Sequence, residues 1–561
     1  MNQARTFLLI AWMLVGYLVW DTWQQDYHRP QATSPTPSAA ADQQASVVPN
    51  ASGDLPEFKP ASGQAVEPTV EAAAASDHSR RVRIHTDVLE LEVDTRGASI
   101  VTADLLAYRQ QATGDAPPVR LLDTAANRYF IAQTGYVGSR PELPNHLSNF
   151  QVDADSFSLA EGQDSLEVPF SWEGANGLRL VRTLRLTRGS YAIEVQDRFE
   201  NSSAEPASFQ AYRQLLRVQP PALPGSSFTN PAAYSFVGAA WYSPQGKFDK
   251  LKFADFQDEP LDLKNAQGWV AMLEHYFFAA WIPQAEEIHE FSTGIESSDR
   301  YRVRALGPVL ELSAGGNLQN SARLYIGPKL QDQLEGIAPG LKLTLDYGIF
   351  TILAQPMAWL LGILHDLTGN WGWAIVLLVV LLKAALFKLS EAQYKSFAKM
   401  RAVQPRIEAL KERYGEDRQK FQTAMMELYK KEKINPMGGC LPILIQIPIF
   451  ISLYWVLIEA VELRHAPWIL WIQNLTAPDP YFVLPILNLL TMWATQKLSP
   501  TPGMDPVQKR IMQIMPIAFG VMFAFFPAGL VLYWTTNGAL GLLQQWVITR
   551  RHAATATPAK S

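Results

Sequence analysis

The pattern of apolar and polar residues changes several times along the chain, and the first change lies near the N-terminus. Residues 7–20 form an apolar run that follows Arg5. The next residues, Asp21-Thr22-Trp23-Gln24-Gln25, do not provide the small side chains that signal peptidase requires. Between a cleaved signal peptide and an uncleaved anchor, the pattern favours an uncleaved membrane anchor over 1–27, with Arg5 on the cytoplasmic side.

The next segment, residues 28–79, is rich in Pro, Ala, Ser and Gln and has almost no large apolar side chains. Such a segment cannot bury enough apolar surface to offset the entropy that it would lose on ordering. Its composition predicts a disordered linker.

From about residue 80, apolar and polar residues alternate. Every second residue is apolar in 89–94 and again in 191–196, which is the period of a half-buried strand. Turn residues such as Arg188-Gly189-Ser190 separate these segments. Many short alternating segments with few helical stretches predict a large antiparallel β-sandwich domain over 80–340.

After residue 340 the pattern becomes helical and strongly apolar. The segment 341–366, which contains Pro356, His365 and Asp366, is interpreted as an amphipathic helix lying along the membrane interface. Within 367–550, apolar runs predict membrane spans at about 371–389, 438–461, 481–498, 511–526 and 530–548. With the anchor they make six spans. The predicted fold class is a multi-domain membrane protein with an all-α polytopic core and a periplasmic β-sandwich.

The Lys and Arg residues of the short loops predict the orientation of these spans. The segment 389–437 contains eleven Lys/Arg against seven Asp/Glu, whereas 462–480 contains only Arg464. The Lys and Arg content of every loop agrees with one arrangement, in which the cytoplasmic segments are 389–437, 499–510 and the tail 551–561. Both termini are then cytoplasmic, and the β domain lies in the periplasm.

The segment 390–434 has the period of two amphipathic helices on either side of a polar turn, Gly415-Glu416-Asp417. The apolar residues at this period are Phe397, Met400, Val403, Ile407, Leu410, Tyr414, Phe421, Met425 and Leu428. We expect a helical hairpin whose first helix is kinked at Pro405. Its charges form either a solvated face or a basic docking surface for ribosome or targeting machinery, and the pattern leaves both open.

The composition narrows the classes of function. A net charge of −5 gives no electrostatic basis for DNA binding, and the single cysteine, Cys440, excludes an intrachain disulfide. The chain has no Walker-type phosphate loop, no HExxH and no GxSxG. Glu274-His275 is interpreted as structural. No catalytic residue, metal site or cofactor is predicted, and the chain is not expected to be an enzyme.

Polar residues within the predicted spans are the candidate functional residues. Lys383 either faces a wet cavity or extends its amine to the membrane surface, and its position fits both. Gln446, Thr535 and Asn537, taken singly, suit hydrogen bonds between helices, but together with Lys383 they suit a hydrated groove. A secondary transporter is less favoured, because no acidic residue lies near the middle of a predicted span. A membrane-tethered sugar-modifying enzyme is a second rival, which turnover by residues 80–340 would support.

Longer motifs in both halves resemble one family. In the helical half they are Ala392-Gln393-Tyr394, Ala398-Lys399-Met400, Ile434-Asn435-Pro436-Met437-Gly438-Gly439-Cys440-Leu441-Pro442, Gln446-Ile447-Pro448-Ile449-Phe450 and Phe526-Pro527-Ala528-Gly529-Leu530-Val531-Leu532-Tyr533-Trp534. In the β domain they include Gly268-Trp269-Val270-Ala271-Met272 and Tyr325-Ile326-Gly327-Pro328-Lys329. The chain resembles the YidC/Oxa/Alb family of membrane insertases, in its Gram-negative branch. Its matching signature residues are Asn435, Pro436, Gly438, Gly439, Pro442, Pro448, Pro527 and Gly529.

The resemblance implies an insertase and chaperone of the cell inner membrane, acting alone or with the Sec translocon on nascent integral membrane proteins within the lipid bilayer. It also implies a positively charged groove that is open to the cytoplasm and to lipid and closed toward the periplasm. The family usually has Arg where this chain has Lys383, so the charge is kept but the bidentate geometry is lost. The β domain is similar to sugar-epimerase-like sandwiches, a fold analogy that implies no sugar chemistry.

Overall fold

The structure is a computed structural model, and it describes only part of the chain. The described residues are 55–58, 79–112, 115–140, 142–175, 177–221, 235–296, 299–414, 417–432, 434, 441–498 and 506–555. They all belong to one unit, Ser52–Ser561. The expected anchor over 1–27, most of the linker over 28–79 and the end of the tail lie outside the described residues.

The first large part of the described chain is a sandwich of two β-sheets. Its strands are β1 Arg81–His85, β2 Leu89–Asp94, β3 Ser99–Arg109, β4 Pro118–Leu122, β5 Phe130–Gly138, β6 Ser156–Ser158, β7 Ser165–Glu173, β8 Leu178–Thr187, β9 Ala192–Asn201, β10 Ala207–Val218, β11 Gly238–Ser243, β12 Lys247–Lys252, β13 Asp262–Ala266, β14 Trp269–Leu273, β15 Phe277–Pro283, β16 His289–Glu296, β17 Arg300–Leu312 and β18 Asn317–Pro328.

The ten-stranded sheet has the order β13-β16-β17-β10-β5-β3-β2-β1-β6, with β4 beside β3. The eight-stranded sheet has the order β12-β11-β14-β15-β18-β9-β8-β7. Neighbouring strands pair antiparallel, apart from the parallel pair of β1 and β6. The predicted antiparallel β-sandwich is confirmed.

The interior between the sheets contains an ion pair as well as apolar side chains. Arg182 of β8 binds Asp197 of β9 in a bidentate manner, with both N–O distances at 2.8 Å. The Tyr136 hydroxyl of β5 donates to Asp197 Oδ2 at 2.7 Å, across the gap between the sheets. The pair therefore links the two sheets inside the core.

The rest of the described chain is helical, which confirms the predicted helical C-terminal region. The helices are α1 Gln331–Ile337, α2 Thr351–Thr368, α3 Trp371–Ala385, α4 Phe387–Ala402, α5 Gln404–Tyr414, α6 Arg418–Lys431, α7 Leu441–Glu459, α8 Val483–Leu498, α9 Pro506–Phe523 and α10 Ala528–Thr555. In the helical part, α10 packs against α8, α3 and α4, while α2 packs against α3 and α7.

Within the described residues, no helix taken alone meets the length and apolarity needed to cross a bilayer, but α3 and α4 meet them as a pair bent by 66°. The predicted count of six spans is therefore not confirmed. The segment expected to form one span at 371–389 is divided, since α3 ends at Ala385 and α4 begins at Phe387.

Two other helices differ in detail from the expectation. The helix expected over 341–366 begins at Thr351, after the short 3-10 turns Leu341–Thr344 and Gly348–Phe350. The first hairpin helix divides into α4 and α5 just before Pro405. Proline has no N–H to donate, and its ring clashes with the carbonyl one turn earlier, so the helix breaks there. An apolar cluster formed by Met400, Val403, Ile407, Tyr429 and Ile434 holds the hairpin together.

Candidate functional site

A cavity of about 270 Å³ lies among α3, α4, α7, α8 and α10. Its polar lining includes Lys383, Gln393, Tyr394, Gln446, Thr495 and Asn537, and its apolar lining includes Val379, Leu382 and Ile449. We call it the Lys383 cavity. Three of the four residues expected to form a groove, Lys383, Gln446 and Asn537, meet here.

Lys383 lies in the last turn of α3, next to the 66° bend that leads into α4. Its side chain is half-buried. A Cβ placed on Gly541 of α10 would lie 3.8 Å from Lys383 Nζ, so the amine reaches across to that helix. Among the described residues, no Asp or Glu forms an ion pair with Lys383. Within the part of the chain that the structure describes, the Lys383 amine therefore reaches the cavity without a carboxylate partner.

Gln446 and Asn537 connect α7 to α10 at the cavity wall. The Gln446 amide donates to Asn537 Oδ1 at 3.0 Å. Aromatic side chains fill the space next to this bond. The ring centroids of Phe450 and Trp534 are 4.4 Å apart, and those of Phe523 and Trp534 are 5.5 Å apart. The polar cavity thus ends against a packed aromatic layer.

Thr535, the fourth expected groove residue, does not line this cavity. Its hydroxyl donates to Val531 O at 2.8 Å on the same helix and contacts Leu484 O of α8 at 3.3 Å. A threonine hydroxyl can satisfy itself on the preceding turn of its own helix. The side chain therefore serves helix packing.

Tyr394 of α4 is a cavity residue that the sequence analysis did not select. Its hydroxyl donates to Gly541 O at 3.0 Å and ties α4 to α10. Gln393 beside it and Thr495 of α8 also line the cavity. The sequence analysis places Gln393 and Tyr394 in the cytoplasmic hairpin over 390–434 and so does not select them as cavity residues. Thr495 lies in the predicted span 481–498 but is not singled out there.

The family-signature residues that the structure describes have backbone roles. Gly529 N donates to Leu475 O at 2.8 Å, and Pro527 forms a β-bridge with Pro478, so these residues fix the turn before α10. Pro448 lies inside α7, and Pro442 lies in its first turn. Asn435, Pro436, Gly438 and Gly439 lie outside the described residues.

A second polar cluster joins the last turn of α7 to the β-sandwich. Lys329 Nζ lies 3.7 Å from Glu459 Oε2, and both side chains are only 4% exposed. Ser235 Oγ donates to Glu459 Oε1 at 3.2 Å, and His275 Nε2 contacts Ile458 O at 3.0 Å. We call these four residues, Lys329, Glu459, Ser235 and His275, the Glu459 cluster.

Burial determines the ionisation of this cluster. It lowers the pKa of His275 to about 3, so the imidazole is neutral at physiological pH. Burial also lowers the pKa of Lys329, and the Glu459 carboxylate partly offsets this effect. Neighbouring Glu274 binds Arg217 at 2.7 Å. Both residues of the Glu274-His275 pair therefore have structural partners.

Comparisons with known proteins cover nearly all of the described chain. The family described as "YidC periplasmic domain" matches residues 81–360, and "60Kd inner membrane protein" matches residues 363–555. A protein of Stenotrophomonas maltophilia named "Membrane protein insertase YidC" is 48% identical over 100% of this chain and 98% of its own length. A protein of the same name from Methylococcus capsulatus is 45% identical, over 98% of each chain.

Among solved structures, "Active YidC insertase crystal structure with the first transmembrane domain resolved" covers 82% of this chain and 90% of its own, with 20% identity and a TM-score of 0.37. The two family matches and the near-full-length relatives agree on one assignment. The chain belongs to the YidC family of inner-membrane protein insertases, and it carries that family's periplasmic domain.

Proposed function

We propose that this insertase receives the polar flank of a client membrane protein in the Lys383 cavity while the client's apolar segment enters lipid. The observation that carries the proposal is the half-buried cation at the α3–α4 bend, in a cavity that Gln446 and Asn537 also line. A charge surrounded by lipid costs free energy, so it usually faces water or an acceptor. The polar lining favours the wet cavity over a lysine that only extends to the membrane surface.

The attraction between Lys383 and a client carboxylate is large enough to affect a crossing barrier. Two unit charges ~4 Å apart in a medium of dielectric ~20 interact by about 4 kcal/mol before desolvation. Lysine presents a compact ammonium without the planar fork of arginine, so the proposal requires charge attraction and no fixed bidentate geometry. Burial of the client's apolar span drives insertion, and no bond is hydrolysed.

We infer six spans, with both termini in the cytoplasm and the domain over 80–340 in the periplasm. The excess of Lys and Arg in 389–437 supports this orientation. Exposed apolar side chains on α8 and α9 support contact with lipid, because a surface of this kind is unusual in water. They include Ile486, Leu490, Trp493, Ile514, Ile517 and Val521.

We propose that helix α2, which overlaps the segment 341–366 assigned to the membrane interface, lies at the periplasmic surface of the inner membrane. It buries Ala354, Met357 and Leu361 against the rest of the protein. It leaves Trp359 and Leu367 exposed. Apolar residues on both faces suit a helix that packs on protein on one side and meets lipid on the other.

The remaining partners are proposed from the family and from the hairpin. The apolar cluster of the hairpin is buried, and the hairpin's Lys and Arg side chains whose burial the structure describes are exposed, as a docking surface for ribosome or targeting machinery requires. Cooperation with the Sec translocon rests on family membership. Titrating ribosomes onto the protein in nanodiscs, with and without charge-neutral hairpin variants, tests the docking surface.

The test of the cavity replaces Lys383 by Ala and by Arg and compares the insertion of clients with acidic or uncharged translocated flanks. We expect Lys383→Arg to insert both classes normally, because the charge remains. Lys383→Ala should lose insertion of acidic clients preferentially. Lys388→Ala is the matched control, since the Lys388 side chain is on the neighbouring helix α4 and is 93% exposed.

The outcomes separate the two roles of Lys383. Equal loss for both client classes would indicate a folding defect and contradict the proposal. Normal insertion of both classes by Lys383→Ala would show that the amine only extends to the membrane surface. If Lys388→Ala reduced the insertion of acidic clients as much as Lys383→Ala does, the effect would come from the overall surface charge, and the proposal would be contradicted.

A further inference from the structure

The structure describes a short piece of the expected linker, residues 55–58, and this piece is packed against the β-sandwich. Leu55, Pro56 and Phe58 are buried, whereas Glu57 between them is exposed. The Phe58 side chain retains 1% of its exposure. A segment with three of its four side chains buried is bound to the domain, in contrast to the disorder that the composition predicts for the linker as a whole.

The surface beneath Phe58 is formed by three adjacent strands, β5, β10 and β17. Leu55 and Phe58 share one apolar cluster with Val137, Tyr212, Leu306 and Val309. We call these four sandwich residues the linker groove. The strand register explains why they lie together: Gln210 pairs with both Val137 and Val309, and Tyr212 pairs with Leu306.

The linker groove lies on the outer face of the ten-stranded sheet. Tyr136 precedes Val137 on β5 and points into the sandwich, where its hydroxyl binds Asp197 of the other sheet. Successive side chains of a strand point to opposite faces, so Val137 points away from the interior. Without the linker, the outer face would expose a row of apolar side chains across three strands.

One wall of the groove is held rigid. The Tyr212 hydroxyl accepts a hydrogen bond from His146 N at 3.1 Å and lies 2.6 Å from His146 Nδ1. Pro56 favours an extended backbone at Leu55 before binding, which reduces the conformational entropy lost on docking. A preformed wall and a pre-extended ligand are features of a recognition site for a short peptide.

We propose that the linker groove is a peptide-binding site and that its resident ligand is Leu55-Pro56-Glu57-Phe58. The site accepts extended peptides of four residues in which an apolar residue comes first, proline second, any residue third and an aromatic residue fourth. The resident segment fixes the linker to the β-sandwich at this point. A peptide of the same pattern competes with the resident segment for the site.

The first experiment tests whether Phe58 occupies the groove, using disulfide formation in the full-length protein in detergent with Cys440 replaced by Ser. We expect Phe58→Cys with Leu306→Cys to form a disulfide at least tenfold faster than Glu57→Cys with Leu306→Cys, because Glu57 points outward. Equal rates for the two pairs would overturn the proposal. This arm replaces no buried residue by a charged one.

The second experiment measures binding of a fluorescent peptide containing Asp-Leu-Pro-Glu-Phe-Lys, the sequence of residues 54–59. Leu55→Asp/Phe58→Asp should bind it at least tenfold more tightly than the unmodified protein, whose groove is occupied. Glu57→Ala should bind like the unmodified protein, and a peptide with Asp in place of Leu and Phe should not compete. Equal binding by all three proteins, or by none, would contradict the proposal.

Discussion

Replacing Lys329 by Met removes the cation from the Glu459 cluster and leaves a carboxylate buried at the end of α7. The two charged atoms are 3.7 Å apart, and both side chains are 4% exposed. Removing one partner of a buried ion pair usually destabilises a protein by about 3–5 kcal/mol, because the remaining charge is left without compensation. Ser235 still donates to Glu459 at 3.2 Å, so we expect the lower end, about 3 kcal/mol.

The assay is thermal unfolding of the purified full-length protein in detergent. At ~2–4 °C per kcal/mol for a large domain, Lys329→Met should lower Tm by roughly 6 °C or more. Lys250→Met is the matched control, because Lys250 pairs with Asp346 in the same region with side chains that are 35% and 42% exposed. Exposed pairs contribute at most ~1 kcal/mol, so its Tm should change little.

A double variant, Lys329→Met with Glu459→Leu, separates the loss of the charge pair from the loss of packing. Replacing a whole buried pair by apolar residues is often neutral or stabilising. The double variant should therefore recover most of the Tm lost by Lys329→Met. A double variant as unstable as the single one, or a single variant with unchanged Tm, would refute the assignment of these residues as a charge pair.

Three further predictions concern the sandwich and the topology. Arg182→Met should destabilise the sandwich by about 3–5 kcal/mol in urea unfolding by leaving Asp197 unpaired, whereas Arg185→Met on the exposed side of β8 should cost under ~1 kcal/mol. His275 has its ordinary pKa of 6.5 in the unfolded chain but a pKa of about 3 in the folded protein. The contribution of this group to stability should therefore be fully present above pH 6.5 and be lost as the pH falls toward 3. His275→Gln should flatten this pH profile of Tm. Cysteine introduced at 408–414 should react with impermeant maleimide only from the cytoplasm, and cysteine at 200–210 only from the periplasm.

Alternation in the sequence predicted strands such as β2 and β9 well but could not predict β10, in the middle of the ten-stranded sheet. β2 follows the period-two pattern closely. β10, by contrast, is buried along nearly its whole length, although it includes Arg213 and Arg217. Its polar residues find partners far along the chain, as Arg217 does with Glu274, which directly follows β14. Partners so distant in sequence cannot be derived from a local pattern.

The sequence predicted those cavity residues whose polar side chains would lose free energy if they were exposed to lipid. Lys383, Gln446 and Asn537 were selected because polar groups in apolar runs need partners, and they line one cavity. Thr535 met the same criterion but bonds within its own helix. The linker groove was not predictable, because composition averaged over 28–79 conceals the apolar side chains of Leu55 and Phe58.

Helix α7 links the two polar sites, and this arrangement has a mechanical consequence. Glu459 fixes its last turn to the β-sandwich, and Gln446, ~20 Å away at ~1.5 Å per residue, lines the Lys383 cavity. Pro448 lies between them and cannot donate to the Leu444 carbonyl, so the helix bends more easily there than elsewhere. A pull on the sandwich would therefore bend α7 at Pro448, and this bend would absorb most of the movement before it reaches the bond between Gln446 and Asn537.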